Sequence, residues 1–192
     1  MNSSFSFPLS FPTLHTNRLQ LQAFSEKDAT ALFELRSDSE FMKYLGRFPM
    51  KKKTEANAFI DNIYNAFKEQ KGISWKIALK GSDHLIGYLG FWRIDVPHFR
   101  AEIGLGLNRK YRSKGYMKEA LEAALGFGFN QLKVHSVMAN VDVRNKNCIR
   151  LLENCGFVKE AHFREDYFFN GKFTDSLIYC ILEQDFHLNP EQ

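Results

Sequence analysis

Cysteine is scarce in this chain: Cys148, Cys155 and Cys180 are the only three among 192 residues. That is too few and too scattered for a disulfide framework or a four-thiolate zinc site, and the odd count fits a reducing compartment. The six histidines show no metal-ligand spacing, so no metal is expected. Lysine and arginine are missing from the first seventeen residues, as is any long apolar run, so a secretory leader is not expected. No stretch approaches the roughly 18 apolar residues that a membrane span needs. A basic tail and an Arg-rich repeat are also absent, which argues against a nucleic-acid partner. With no internal repeat, no Gly/Ser linker and no second-domain boundary, the cytoplasm is the expected location and one domain the expected organisation.

What is present is aromatic and mildly basic. Hydrophobic residues make up 44% and charged ones 25%, so the chain can bury a core without covalent staples. The 19 phenylalanines exceed that need. They suit a thick core, a groove or a homodimer contact, without requiring any one of the three. The net charge of +4 suits an anionic ligand without demanding one.

The pattern of elements is mixed. "RLQLQAF" (18–24) alternates as a half-buried strand does, and Ser25 and Asp28 open a short amphipathic helix. A second helix carries the stripe Ala56, Phe59, Ile63 and Phe67, with Thr54 as its expected N-cap and Gly72 as its stop. "SWKIAL" and "HLIGYLGFWRI" read as a hairpin, and "AEIGLGL" (101–107) as a third strand. From 115 to 130 the period changes to that of a helix. A strand at 136–140, a helix at 145–155 and a last strand at 174–182 follow. Hairpins followed by alternating strands and helices predict an α/β fold: a mixed central sheet of about six to seven strands with helices on both faces.

The strand "AEIGLGL" points Ala101, Ile103, Leu105 and Leu107 one way and Glu102, Gly104 and Gly106 the other. Two glycines on one strand face mark either a tightly packed helix or the close approach of a ligand. The polar loop "KYRSKG" comes next, and a helix opens at Gly115. A strand, a basic glycine loop and a helix N-terminus form an anion site, because the first N–H groups of a helix have no internal partners. Arg109, Lys110, Arg112, Lys114 and Lys118 raise the potential there. The loop is neither a Walker-type P-loop nor a G-x-G-x-x-G fingerprint. A diphosphate held chiefly by backbone fits what is left.

Three stretches together resemble the GNAT superfamily of acyl-CoA N-acyltransferases: "TLHTNRLQLQAFSEKDATALFEL", "AEIGLGLNRKYRSKGYMKEALEAALGFGF" and "VDVRNKNCIRLLENCGFVKEAHFRED". The likeness is greatest to the branch that acetylates the N-termini of ribosomal proteins. It implies an N-terminal arm (1–12), a GNAT domain (13–183) and a C-terminal tail (184–192), with acetyl-CoA as cofactor and CoA as product. By the same resemblance, the amides of Arg112, Ser113, Lys114, Gly115, Tyr116 and Met117 take the CoA pyrophosphate. The strand edge at Leu105 and Leu107 runs beside the pantetheine arm, and Asn145 touches the cofactor. Met117 stands where the family usually has a small residue. Leu152 stands where many members have a tyrosine that protonates the departing thiolate, and Cys148 where this branch commonly has a serine. A general acid, if needed, is then Cys148, a nearby tyrosine or water.

Acetyl transfer to an amine needs a base, because most of the amine is protonated at neutral pH. Glu102, on the glycine-lined face beside the loop, is the expected general base, and a strand-edge N–H near Leu105 the expected oxyanion donor. Cys148 also reads as a small buried hydrophobe, and direct transfer requires less than an acyl-cysteine. The acceptor is expected to be the α-amine of a protein N-terminus. A small amine such as a polyamine, or a non-catalytic acyl-CoA-binding regulator, are the rival readings.

Overall fold

The computed structural model describes residues 5–187, so the outer ends of the arm and tail (1–4 and 188–192) lie outside the described residues. Eight strands form one sheet: β1 (Leu14–His15), β2 (Leu19–Gln22), β3 (Ile73–Leu79), β4 (Gly87–Asp95), β5 (Arg100–Leu107), β6 (Ser136–Asp142), β7 (Val158–Phe169) and β8 (Lys172–Leu182). Six α-helices accompany them: α1 (Ala29–Ser37), α2 (Ser39–Met42), α3 (Lys53–Lys68), α4 (Tyr116–Phe127), α5 (Lys146–Asn154) and α6 (Glu183–His187). The spatial order is β1-β2-β3-β4-β5-β6-β8-β7. Every neighbouring pair is antiparallel except β5 with β6. That pair is parallel because α4 carries the chain back across the sheet between them.

Alternation explains the layers. Leu19, Leu21, Ile77, Leu89, Phe91 and Ile103 point to one face, where Met117, Ala120, Leu121 and Ala124 of α4 cover them. On the other face Leu32, Leu35, Phe41, Ala56 and Ile60 of α1, α2 and α3 form a second buried cluster against Tyr88. The expected mixed α/β sheet with helices on both faces is therefore what the chain builds. It gains the two-residue β1 and the long edge strand β7 beyond the six or seven strands expected.

Some local expectations change. Helix α3 starts at Lys53, so Thr54 sits inside its first turn rather than at its cap. Glu55 does the capping instead, its Oε1 accepting from the N–H groups of Lys51 at 3.0 Å and Lys52 at 2.9 Å. The expected N-terminal arm is packed down over its described part. Phe7 and Phe11 each pack on Phe67 with ring centroids 5.1 Å apart, and the Pro12 carbonyl accepts from the Trp75 indole at 2.8 Å. Burial of these rings is a sufficient reason for order. The sequence pair "NG" at 170–171, a hairpin-turn signal, turns β7 into β8, with φ of 49° at Asn170 and 77° at Gly171.

One buried charge anchors α1 to the sheet. The Lys76 ammonium, 2% exposed, lies 2.9 Å from Asp28 and 2.7 Å from Asp83. Burial by itself would lower its pKa, but hydrogen bonds to Asp83 and Asp28 overcome that and hold it above the ordinary lysine value. Asp28 also accepts from the Ser25 N–H at 2.6 Å. Removing Asp28 leaves Lys76 only the exposed Asp83, so the loss is that of one charged hydrogen bond rather than of a stranded charge. Asp28→Ala should therefore lower the unfolding free energy by about 1.5–3 kcal/mol in urea denaturation, whereas a loss below about 1 kcal/mol would mean the pair is dispensable.

Candidate functional site

The sheet opens in its middle. β5 pairs with β6 only through Arg100–Ser136, Ala101–Val137 and Glu102–Met138. Beyond Glu102 the two strands continue but no longer pair, while β5 stays paired to β4 as far as Leu107. The main-chain groups of Ile103–Leu107 that face β6 thus have no strand partner, and a wedge opens between two parallel strands. Both strands run toward its mouth, so the helices that follow them, α4 and α5, begin there with their N–H groups.

The expected cofactor loop lies at that mouth. Ser113 has φ of 60° and Gly115 φ of 78°, so the chain passes twice through left-handed conformations and gathers its amides into a concavity. Gly115 is the N-cap of α4 and offers no side chain to satisfy the first-turn N–H groups of Tyr116, Met117 and Lys118. Arg112 is engaged locally, donating from Nε to the Leu107 carbonyl at 3.0 Å. Leu105 is half-buried and Leu107 buried, so these residues offer the wedge their main chain rather than their side chains.

Sequence reasoning missed what holds the loop. Arg18, just before β2, donates from Nη1 to the Lys114 carbonyl at 2.9 Å and from Nε to Glu119 Oε2 at 2.6 Å. Its guanidinium covers the Tyr116 ring at 4.8 Å. Glu119, in the first turn of α4, also accepts from the Arg18 N–H at 2.8 Å and from the Thr16 hydroxyl at 2.5 Å. Burial would raise the Glu119 carboxyl, but the bonds from Thr16 and Arg18 outweigh it and hold the group below the ordinary glutamate value. A carboxylate beside an anion site would repel the anion, and Arg18 neutralises it.

Asn145 caps α5, its Oδ1 accepting from the Cys148 N–H at 3.3 Å. The Cys148 thiol sits one turn into that helix, and burial pushes its pKa up to about 11. It is a thiol at neutral pH, poorly suited to nucleophilic attack, and giving its proton to a more acidic departing thiolate would be uphill. Leu152 is fully buried. Tyr179, whose charge state is coupled to that of Cys148, already donates its hydroxyl to Glu153 at 2.8 Å and is pushed up to about 12 by burial and by Glu153.

Glu102 is the last β5 residue paired before the strands part. It is half-buried, and burial raises its carboxyl above the ordinary glutamate value; Arg93 and then Arg100 offset this only in part. Beside it a cleft of about 240 Å³ is lined by Arg93, Asp95, Arg100 and Met138. The two glycines on its strand face divide the two readings of that face. A Cβ at Gly106 would lie 2.5 Å from Phe41 Cζ, so helix packing requires that glycine. A Cβ at Gly104 would meet only the Trp92 indole, at 3.3 Å.

A mixed sheet parted between two parallel strands, with a basic amide loop at its mouth and a carboxylate at its apex, defines an acyl-CoA-dependent transferase. Residues 18–158 match the acetyltransferase (GNAT) domain family, and the chain belongs to that family. It is 32% identical over 173 residues to the uncharacterized N-acetyltransferase YoaA of Bacillus subtilis, covering 90% of this chain and 98% of that one. It is 25% identical over 170 residues to a spermidine N(1)-acetyltransferase of Vibrio cholerae, covering 88% and 96%. Among solved structures, a GNAT-family acetyltransferase from Bacillus anthracis superposes with a TM-score of 0.80 at 28% identity, covering 90% of this chain and 99% of that one. The protein is an acetyl-CoA-dependent N-acetyltransferase acting on an amine. Among the described residues no cluster of His, Cys, Asp or Glu could hold a metal, and no helix is long and apolar enough to cross a membrane.

Acetyl-CoA supplies an acetyl group activated as a thioester. The residues present fit it: main chain without a strand partner along Ile103–Leu107 for an amide-bearing arm, and loop amides gathered by positive φ at Ser113 and Gly115 for a diphosphate.

Two outcomes follow. Arg18→Ala should raise KM for acetyl-CoA about tenfold and leave KM for the acceptor nearly unchanged, and Gly115→Val should do at least as much, because φ of 78° and the Arg18 guanidinium 3.2 Å from the new Cβ both resist it. Steady-state kinetics with each substrate varied checks this, and an unchanged acetyl-CoA KM in both variants would remove the loop from the cofactor site. Alkylation of Cys148, followed by peptide mapping, should be slow at pH 7 and rise about tenfold per pH unit toward its high pKa. Cys148→Ala should keep at least part of the turnover. Fast labelling at neutral pH, or an acetyl-cysteine competent to reach product, would revive a covalent route.

Proposed function

We propose that this enzyme acetylates the α-amine of a protein N-terminus, as the ribosomal-protein branch of the family does, with Glu102 as general base and the acetyl group passing directly from thioester to amine. The carrying observation is the charge around Glu102. Arg93 and Arg100 are the cations that act on it, and Asp95 is the other carboxylate lining the same cleft. A polyamine site needs an acidic surround to hold several ammonium groups. This balanced, open cleft suits a chain end that brings one amine. An α-amine titrates near pH 8 and a lysine side chain near 10.4, so Glu102 has less proton to remove at cellular pH.

In this reading Glu102 takes the amine proton, directly or through one water, as nitrogen attacks the thioester carbon. The main-chain N–H groups of the unpaired β5 edge face the oxygen on which charge develops. The departing thiolate leaves toward the N-terminus of α5, whose dipole and Cys148 S–H favour negative charge. Asn145 holds that helix start, and the amides of Ser113, Lys114, Gly115, Tyr116 and Met117 hold the diphosphate, while the expected Arg112 amide is turned back to the Arg109 carbonyl at 3.2 Å.

Because burial raises the Glu102 carboxyl, the acid limb of the wild-type pH–rate profile should lie above the ordinary glutamate range, with activity falling as pH drops through it. Glu102→Gln should lose that limb and lower kcat/KM by about 10²–10⁴-fold, with acetyl-CoA affinity nearly unchanged and part of the loss recovered at high pH. Superimposable profiles for E102Q and wild type on an N-terminal peptide would reduce Glu102 to a structural residue.

A further inference from the structure

The chain has two tryptophans, and they are used in opposite ways. Trp75 is fully buried, edge-on to Phe91 and Phe127. Trp92 is 54% exposed, although it sits in the middle of β4 one residue after the buried Phe91. Alternation turns Trp92 away from the core face that Phe91 occupies, and a break in register then keeps Arg93 on the same face as Trp92. Phe91 faces Ile103 and Arg93 faces Glu102, leaving Trp92 as the extra residue of a β-bulge. A bulge bends the strand and re-aims a side chain. Here it sends Trp92 and Arg93 in succession to the Glu102 side of the sheet.

The indole lies over Gly104. Its Cδ1 is 3.3 Å and its Nε1 3.9 Å from the point where a Gly104 Cβ would stand, and beyond the neighbouring β5 residues no other atom comes within 4 Å of that point. Two residues back along β5 on the same face is Glu102, the last residue paired with β6 before the strands part. A large aromatic surface is therefore left open to solvent over the next residue of this strand face after the proposed base. The glycine beneath it is the residue that lets the ring lie against the strand.

We propose that Trp92 is the acceptor platform: the side chain of the first peptide residue rests on the indole while its α-amine reaches Glu102. This rests on the N-terminal amine reading above. It names a preferred acceptor class, a chain end with a neutral apolar first side chain. Arg93 is adjacent in the bulge and Arg100 lines the same cleft, where Asp95 and Glu102 balance them, so a lysine side chain at the first position finds no net attraction there. An aliphatic one gains contact with the ring, and such contacts reach about 1.4 kcal/mol, a factor of about ten in affinity.

The test combines fluorescence and kinetics on the full chain. Trp75 is enclosed, so a change in emission on adding acceptor in the presence of saturating CoA reports on Trp92. Peptides beginning with Leu, Ala, Asp or Lys, otherwise identical, and spermidine are the probes. The Leu peptide should shift the emission saturably and have the lowest KM. Trp92→Ala should raise that KM about tenfold, bring the Leu and Ala peptides together, and leave the acetyl-CoA KM within about twofold. Trp92→Phe should recover most of the lost affinity while abolishing the emission change. Peptide acetylation by W92A with wild-type KM and wild-type preference would overturn the platform and leave the N-terminal reading standing. Acetylation of spermidine and of none of the peptides would overturn both.

Discussion

Everything proposed for this molecule depends on one interruption of backbone pairing. Strands β5 and β6 bond across three residue pairs and then separate. Elsewhere in a sheet, unpaired main-chain groups would be a liability, costing stability if buried and inviting association if exposed. Between parallel strands they have a further property: both chains run out toward the same end, so two helix N-termini gather there. The wedge is thereby lined with amides and carbonyls that have no strand partner and closed at its mouth by two positive dipole ends. An elongated ligand with amide groups at one end and a diphosphate at the other matches that order of partners.

The wedge is supported from outside it. Arg18 reaches from the start of β2 to the carbonyl of Lys114 and the carboxylate of Glu119, and so fixes the loop amides outward before any ligand arrives. Preorganisation of this kind spares the cost of ordering the loop on binding. On the other side of β5 the bulge at Trp92 has the complementary effect, setting Trp92 and Arg93 in succession on the face that carries Glu102. Glu102 lies between the two, half-buried, with a raised pKa that makes it a stronger base than an exposed glutamate.

Much of this was legible in the sequence, and the exceptions share a cause. The alternation of "AEIGLGL", the 3–4 spacing from Met117 to Leu125 and the "NG" turn each encode a local structure in neighbouring residues, and each is realised. Strand β7 was not legible because it is an edge strand exposed along nearly its whole length, so it carries no apolar alternation. The Arg18–Glu119 pair joins positions 101 residues apart, and neither residue announces its partner. The bulge hides for another reason. "GFWRI" reads as a continuous strand, and only the pairing with β5 reveals that Trp92 has no opposite number. Glycine gave the clearest signal of the site but an ambiguous one, since Gly106 makes room for Phe41 and Gly104 for Trp92.

The central claim is that the amine presented to Glu102 is a peptide α-amine. Incubating the protein with acetyl-CoA and an equimolar mixture of peptides, each with one free N-terminus and one internal lysine, together with spermidine and aminoglycosides, tests it in one reaction. Products are located by fragment mass spectrometry. The account predicts acetyl groups on peptide N-termini, with lysine side chains and small amines left unmodified. Acetylation confined to spermidine or another small amine would contradict it.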